Sequence, residues 1–189
     1  MCGLLRKKLF FFFVIILIFI LVLFGLKLKV LFESNGEDFS HPLINKNVQD
    51  IRFYILEKKQ REHLVTIKEL LEKGSHWVIL HFWTAHCSSC KAEIPEINSF
   101  YESLNMSTLM LKFYSCNLYN SYDEIKALQK SHHIKYPILY TRSYNASLEF
   151  GIIGTPATYL ISPEGQIKWY GSGPLNSKKI INIFKKESH

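Results

Sequence analysis

The stretch from Trp77 to Pro95 constrains the architecture most. Trp77-Val78-Ile79-Leu80-His81-Phe82-Trp83 is almost wholly apolar and about one strand long, the pattern of an inner strand covered on both faces. Thr84-Ala85-His86-Cys87-Ser88-Ser89-Cys90 follows, and then a helical pattern opening with Lys91-Ala92-Glu93-Ile94-Pro95. Cys87 therefore falls where a strand hands over to a helix, and Cys90 one turn later on that helix. Unpaired N–H groups and the positive end of the helix dipole favour a thiolate at such a position. A thiolate at Cys87 attacks a disulfide, and Cys90 is close enough to resolve the mixed disulfide, which is thiol–disulfide exchange chemistry.

The same C-x-x-C spacing also serves as half of a four-ligand zinc site. The remaining residues argue against it. Cys2 precedes a long apolar run, Cys116 is alone, and His132-His133 are adjacent histidines without a second cysteine pair. No metal is predicted, and no cofactor beyond the Cys87–Cys90 pair itself.

Leu9 to Leu26 are 18 consecutive uncharged residues, nearly all Phe, Leu, Ile or Val. As a helix they extend roughly 27 Å, close to the thickness of a bilayer's hydrocarbon core. Lys27 and Lys29 can snorkel and let the span continue to about residue 31. Arg6, Lys7 and Lys8 precede the run, which predicts a cytoplasmic N-terminus (1–8), a transmembrane signal anchor (9–31) and an extracytoplasmic remainder. The run is longer than a signal-peptide core and no small-x-small cleavage site follows it, so an uncleaved anchor is expected.

The net charge of +7 belongs largely to that segment. All 16 acidic residues lie at Glu33 or later, against 18 basic residues there, leaving the rest at only +2. No nucleic-acid partner is indicated. Residues 32–47 read as a polar linker with Gly36, Pro42 and several Asn and Ser. Residues 48–189 suffice for one domain with a core of its own.

Within that domain the periodicity predicts a strand at 51–56, a short return strand at 64–65 and a helix at 66–73 ending on Gly74. After the strand at 77–83 comes a helix kinked by Pro95. It bears Ile94, Ile97, Phe100, Tyr101 and Leu104 on one face. A strand is expected at 109–116. Ser121-Tyr122-Asp123-Glu124 is a capping box for a helix to about Lys130. A short strand at 138–140 and a short helix near Ser147 precede a hairpin, 157–161 and 167–170, turned by Ser162-Pro163-Glu164-Gly165. An amphipathic helix over 174–186 closes the chain.

The order of these elements predicts an α/β thioredoxin-like sandwich, a central mixed sheet flanked by helices, behind one transmembrane helix. Phe82 to Cys90, Lys91 to Pro95, and Gly151-Ile152-Ile153-Gly154-Thr155-Pro156-Ala157-Thr158-Tyr159-Leu160-Ile161 carry a resemblance to the membrane-anchored TlpA/ResA/CcmG-type branch of the thioredoxin superfamily. The resemblance covers about residues 50–187. It implies an extracytoplasmic thiol–disulfide oxidoreductase that reduces protein disulfides, as in c-type cytochrome maturation, with apocytochrome c as one substrate. It also implies a membrane electron donor of the thiol-reductant type.

The resemblance places Thr155-Pro156 opposite the cysteines with a cis peptide bond, offering the Thr155 backbone to a substrate strand. Glu93, three residues after Cys90, shares a helix face with it. It is either the acceptor of the Cys90 proton, as the resemblance implies, or a solvated acid near a helix start. His86 stands where the family usually carries an aromatic residue. It is either a cation favouring the Cys87 thiolate or a polar residue at an exposed rim. Trp83 is grouped with the residues at the substrate end of the site and is expected to pack under it. Cys116 is expected to be buried filler. Two other functions remain open: a copper-handling module with His132 or His133 as distal ligand, and a disulfide oxidase or isomerase on the same pair.

Overall fold

The computed structural model describes residues 16, 17, 19–22, 24, 42–56, 63–72, 76–142 and 144–188, in two units, 1–40 and 41–189. In the first unit Ile16, Leu17, residues 19–22 and Phe24 are helical and exposed. The rest of the expected anchor lies outside the described residues. Among the described residues no helix is long and apolar enough to cross a membrane.

The second unit is built on one seven-stranded mixed sheet in the order β2-β1-β5-β4-β3-β6-β7. Its strands are β1 (Arg52–Ile55), β2 (His63–Thr66), β3 (Trp77–Trp83), β4 (Leu111–Leu118), β5 (Ile138–Thr141), β6 (Ala157–Ile161) and β7 (Ile167–Ser172). β3, β4 and β5 run parallel, and the remaining pairings are antiparallel. The helices are α1 (Ile67–Leu70), α2 (Ser88–Ala92), α3 (Ile94–Asn105), α4 (Tyr122–Ser131), α5 (Asn145–Glu149) and α6 (Ser177–Glu187). This is the expected sandwich.

β3 lies inside the sheet, between β4 and β6, and every one of its residues is buried. Strand side chains alternate between faces, and β3 sorts accordingly. Trp77, Ile79 and Trp83 join a core roofed by α3, α4 and α6 through Ile97, Ile125 and Phe184. Val78, Leu80 and Phe82 join the opposite core, closed by Ile67 of α1 and Ala146 of α5. His81 alternates with the first set.

Four expectations shift. The kinked helix is two helices: Glu93 is both the last cap of α2 and the first cap of α3, with Pro95 in the first turn of α3, where its missing N–H costs nothing. β4 runs two residues later than the periodicity suggests, to Leu118. α6 begins at Ser177 because the Asn176 side chain accepts the Lys179 N–H at 2.9 Å. Residues 42–47, read as the end of a linker, dock on the β6–β7 hairpin. Leu43 and Ile44 pack against the α1-side core, and the Asn45 N–H donates to the Ile167 carbonyl at 2.8 Å. The proposed Gly74 cap lies outside the described residues.

Candidate active site

The site forms at the carboxyl end of β3, the usual place for chemistry in an α/β sheet. The chain leaves β3 at Trp83 and turns. The Cys87 N–H donates to the Thr84 carbonyl at 3.2 Å, and the Ala85 N–H donates to Asn120 Oδ1 at 2.8 Å. Cys87 is the N-cap of α2. Cys87 and Cys90 are joined as a disulfide, with Cα atoms 5.3 Å apart.

The two sulfurs are not equivalent. Cys87 is half-buried, while Cys90 is 3% exposed in the core under α3. The Cys90 N–H donates to Cys87 Sγ at 3.1 Å, and Ser89 Oγ lies 3.3 Å from the same sulfur. Once the disulfide opens, these groups stabilise a thiolate at Cys87, because a charged acceptor strengthens each bond. Cys87 Sγ also lies 3.6 Å from the Thr155 carbonyl oxygen. Thr155-Pro156 is a cis peptide bond, so the predicted loop does face the pair.

Glu93 is 7% exposed and therefore not a solvated acid. Capping two helices at their joint, it turns its side chain inward. Oε2 accepts the Leu175 N–H at 2.7 Å, and Oε1 lies 3.1 Å from His81 Nε2. His81 is 1% exposed, and its Nδ1 lies 2.9 Å from Thr158 Oγ1 on β6. Burial, and then the nearby Glu93 charge, push the Tyr136 hydroxyl well above the usual tyrosine range. Burial does the same to the Cys116 thiol.

Trp83 is 3% exposed, and its bulk and apolar faces belong to the same core as Cys90. His86 is exposed at the rim. The Glu124 carboxyl of α4 is held below the usual range first by the Ser121 N–H and hydroxyl, with the neighbouring His86 the least of the causes. Cys116 is free and fully buried on β4. His132 follows α4, with Nδ1 2.9 Å from Ser131 Oγ. Among the described residues no three His, Cys, Asp or Glu side chains gather as a metal site.

Sequence reasoning missed His81, Thr158 and the Leu175 N–H. One signal was available. A histidine inside a strand buried on both faces needs a partner for each ring nitrogen.

Comparison with known proteins agrees with this geometry. The model of the AhpC/TSA family matches residues 45–170. Sporulation thiol-disulfide oxidoreductase A of Bacillus subtilis is 30% identical over 105 residues, which are 54% of this chain and 62% of that protein. The thiol:disulfide interchange protein DsbE of Yersinia pestis is 24% identical over 178 residues, 89% of this chain and 88% of that protein. The crystal structure of StoA from Bacillus subtilis superposes with a TM-score of 0.57 at 22% identity, covering 72% of this chain and 98% of that one.

Proposed function

The chain belongs to the AhpC/TSA family, and on that premise, with matched relatives named as thiol–disulfide oxidoreductases and an interchange protein, we propose that it is a thiol–disulfide oxidoreductase that reduces protein disulfides outside the cytoplasm from a membrane anchor. The observation that carries the chemistry is the asymmetry of the pair: Cys87 half-buried, with the Cys90 N–H aimed at its sulfur, and Cys90 buried behind it. The Cys87 thiolate attacks a substrate disulfide and forms a mixed disulfide, releasing one substrate thiolate. Cys90 gives its proton to Glu93 and attacks Cys87 Sγ. The second substrate sulfur leaves as a thiolate, and the Cys87–Cys90 disulfide closes. The Thr155 backbone, beside Cys87, pairs with the extended substrate segment.

The anchor reading rests on the uncharged run from Leu9 to Leu26 and the positive residues before it. The reducing direction follows the TlpA/ResA/CcmG resemblance. A reductant in an oxidising compartment must be recharged, and a membrane donor of the thiol-reductant type, on which the anchored domain would draw, meets that need. Apocytochrome c is one candidate substrate. The test is acid-quench trapping of the full chain in growing cells, with thiol labelling by mass. A steady-state population mainly reduced at Cys87 and Cys90 supports the reductant. A population held as the disulfide assigns the oxidase direction instead.

A further inference from the structure

On the reading of Glu93 as the proton acceptor, its carboxylate has to be balanced from within the protein, because the residue is only 7% exposed. Two contacts hold it, and a third extends from His81. The Leu175 N–H holds Oε2 at 2.7 Å, His81 Nε2 sits 3.1 Å from Oε1, and His81 Nδ1 in turn sits 2.9 Å from Thr158 Oγ1. The chain Glu93–His81–Thr158 thus runs from the joint between α2 and α3, through β3, to a residue two places after Pro156. The groups that face it are Tyr136 from the segment before β5 and the Phe113 ring of β4, stacked on His81 with centroids 6.2 Å apart; Cys90 of α2, three residues before Glu93, joins the core on the same side of the sheet.

The last member of the chain is a hydroxyl, which matters for proton accounting. With His81 neutral and Nε2–H donating to the carboxylate, Nδ1 accepts from the Thr158 hydroxyl. With one more proton on the pair, Nδ1–H donates to the same oxygen, and only the hydroxyl hydrogen has to rotate. Both nitrogens of the His81 ring therefore keep their partners in either protonation state.

We propose that His81 is a positioning residue for the resolving step: it fixes the Glu93 carboxylate and shares the proton that Cys90 gives up, with Thr158 as its switchable partner. This rests on the reading of Glu93 as the acceptor of that proton. The balance is closed. The proton leaves the Cys90 thiol for the Glu93–His81 pair, the Cys90 thiolate forms the bond to Cys87 Sγ, and the substrate sulfur departs with the electron pair of the broken bond. The proton returns to Cys90 when the disulfide is next reduced.

The experiment uses the full chain in detergent micelles with a fluorescent cysteine peptide disulfide-linked to Cys87. Release of the peptide on attack by Cys90 is followed by stopped flow from about pH 5 to 9. Glu93→Gln is expected to slow release about 10²-fold and to flatten the pH profile. His81→Gln is expected to slow it roughly tenfold and to displace the profile's midpoint, and the double variant to be no slower than Glu93→Gln within about twofold, since the two act as a unit. A His81→Gln profile like the wild type's, or a loss that multiplies in the double variant, overturns the proposal while leaving Glu93 in place. A wild-type profile in Glu93→Gln overturns the Glu93 reading, and this inference with it. A second measurement needs no variant. Through-bond assigned ¹⁵N resonances of the His81 ring are expected to differ between the disulfide and dithiol forms, and identical shifts at every pH would overturn the proposal.

Discussion

The two faces of β3 are made by alternate residues of one strand, and they solve opposite problems. Toward α1 and α5, Phe82 meets Phe53, Phe150 and Tyr159 at centroid distances of 6.4, 4.9 and 5.6 Å, and the Tyr159 hydroxyl closes on the Phe150 carbonyl. That face is packing, with its polar group locally satisfied. Toward α3 and α6, the corresponding depth holds His81 and Glu93, and the Trp83 indole N–H and both polar atoms of Asn117 have no partner among the described residues. Dense apolar packing gives the strand its place, and the opposite face uses that rigidity to hold a buried imidazole and carboxyl on the side of the sheet that carries Cys90.

The comparison can be broken most decisively at the sulfurs. Cys87→Ala should abolish turnover while leaving thermal unfolding of the reduced protein nearly unchanged, because Cys87 contributes chemistry and little packing. Insulin-disulfide reduction and calorimetry on the same sample check this. Phe82→Ala should do the reverse. The cost should be about 3–5 kcal/mol in denaturant titration, with the pH profile of resolution unmoved; a shifted profile would show that the two faces are coupled. Asn176→Ala is a smaller change. It removes the cap of α6 one residue after the Leu175 N–H that holds Glu93, and should cost about 1 kcal/mol of stability with resolution kept within about twofold.

Alkali sharpens the same contrast. Burial raises the Cys116 thiol and the Tyr159 hydroxyl on the packing side, and the Tyr136 hydroxyl near Glu93 on the other. Each group stays protonated in the fold after its unfolded counterpart has ionised. The stability they contribute is intact below the ordinary values of 9.0 for Cys116 and 10.0 for the tyrosines, and is lost as pH rises beyond them. Equilibrium unfolding from pH 8 to 11 should therefore show falling stability, with the fall blunted in Tyr159→Phe. An undiminished fall in that variant would remove Tyr159 from the account.

Much of the fold was legible because its signals are local. The apolar run of β3, the Ser121 capping box and the Gly165 turn each depend on residues within a few positions, and each element stands where those residues predict. The pair and the loop facing it were legible through motif and resemblance. The Glu93–His81–Thr158 chain was not, because its members lie 12 and 77 positions apart and meet only through sheet register, His81 opposite Thr158. Periodicity counts His81 as one more member of an apolar run, and only the demand that a buried ring nitrogen find a partner marks it. The docking of residues 42–47 escaped for a related reason: Leu43 and Ile44 are too few to make a pattern, and the hydrogen bonds of Asn45, Lys46 and Asn47 reach Ile167, Glu149 and Glu164, more than a hundred residues downstream.

Cys116 carries one further consequence. A cysteine outside the reactive pair of an enzyme that trades disulfides is a standing opportunity for mispairing, yet this one is fully buried and raised well away from the thiolate. It meets the solvent only when the sheet itself opens. The protein thus contains its own clock: with Cys87 and Cys90 closed as a disulfide, the rate at which Cys116 takes up an alkylating reagent counts the openings of the central sheet, separately from every turnover at the surface.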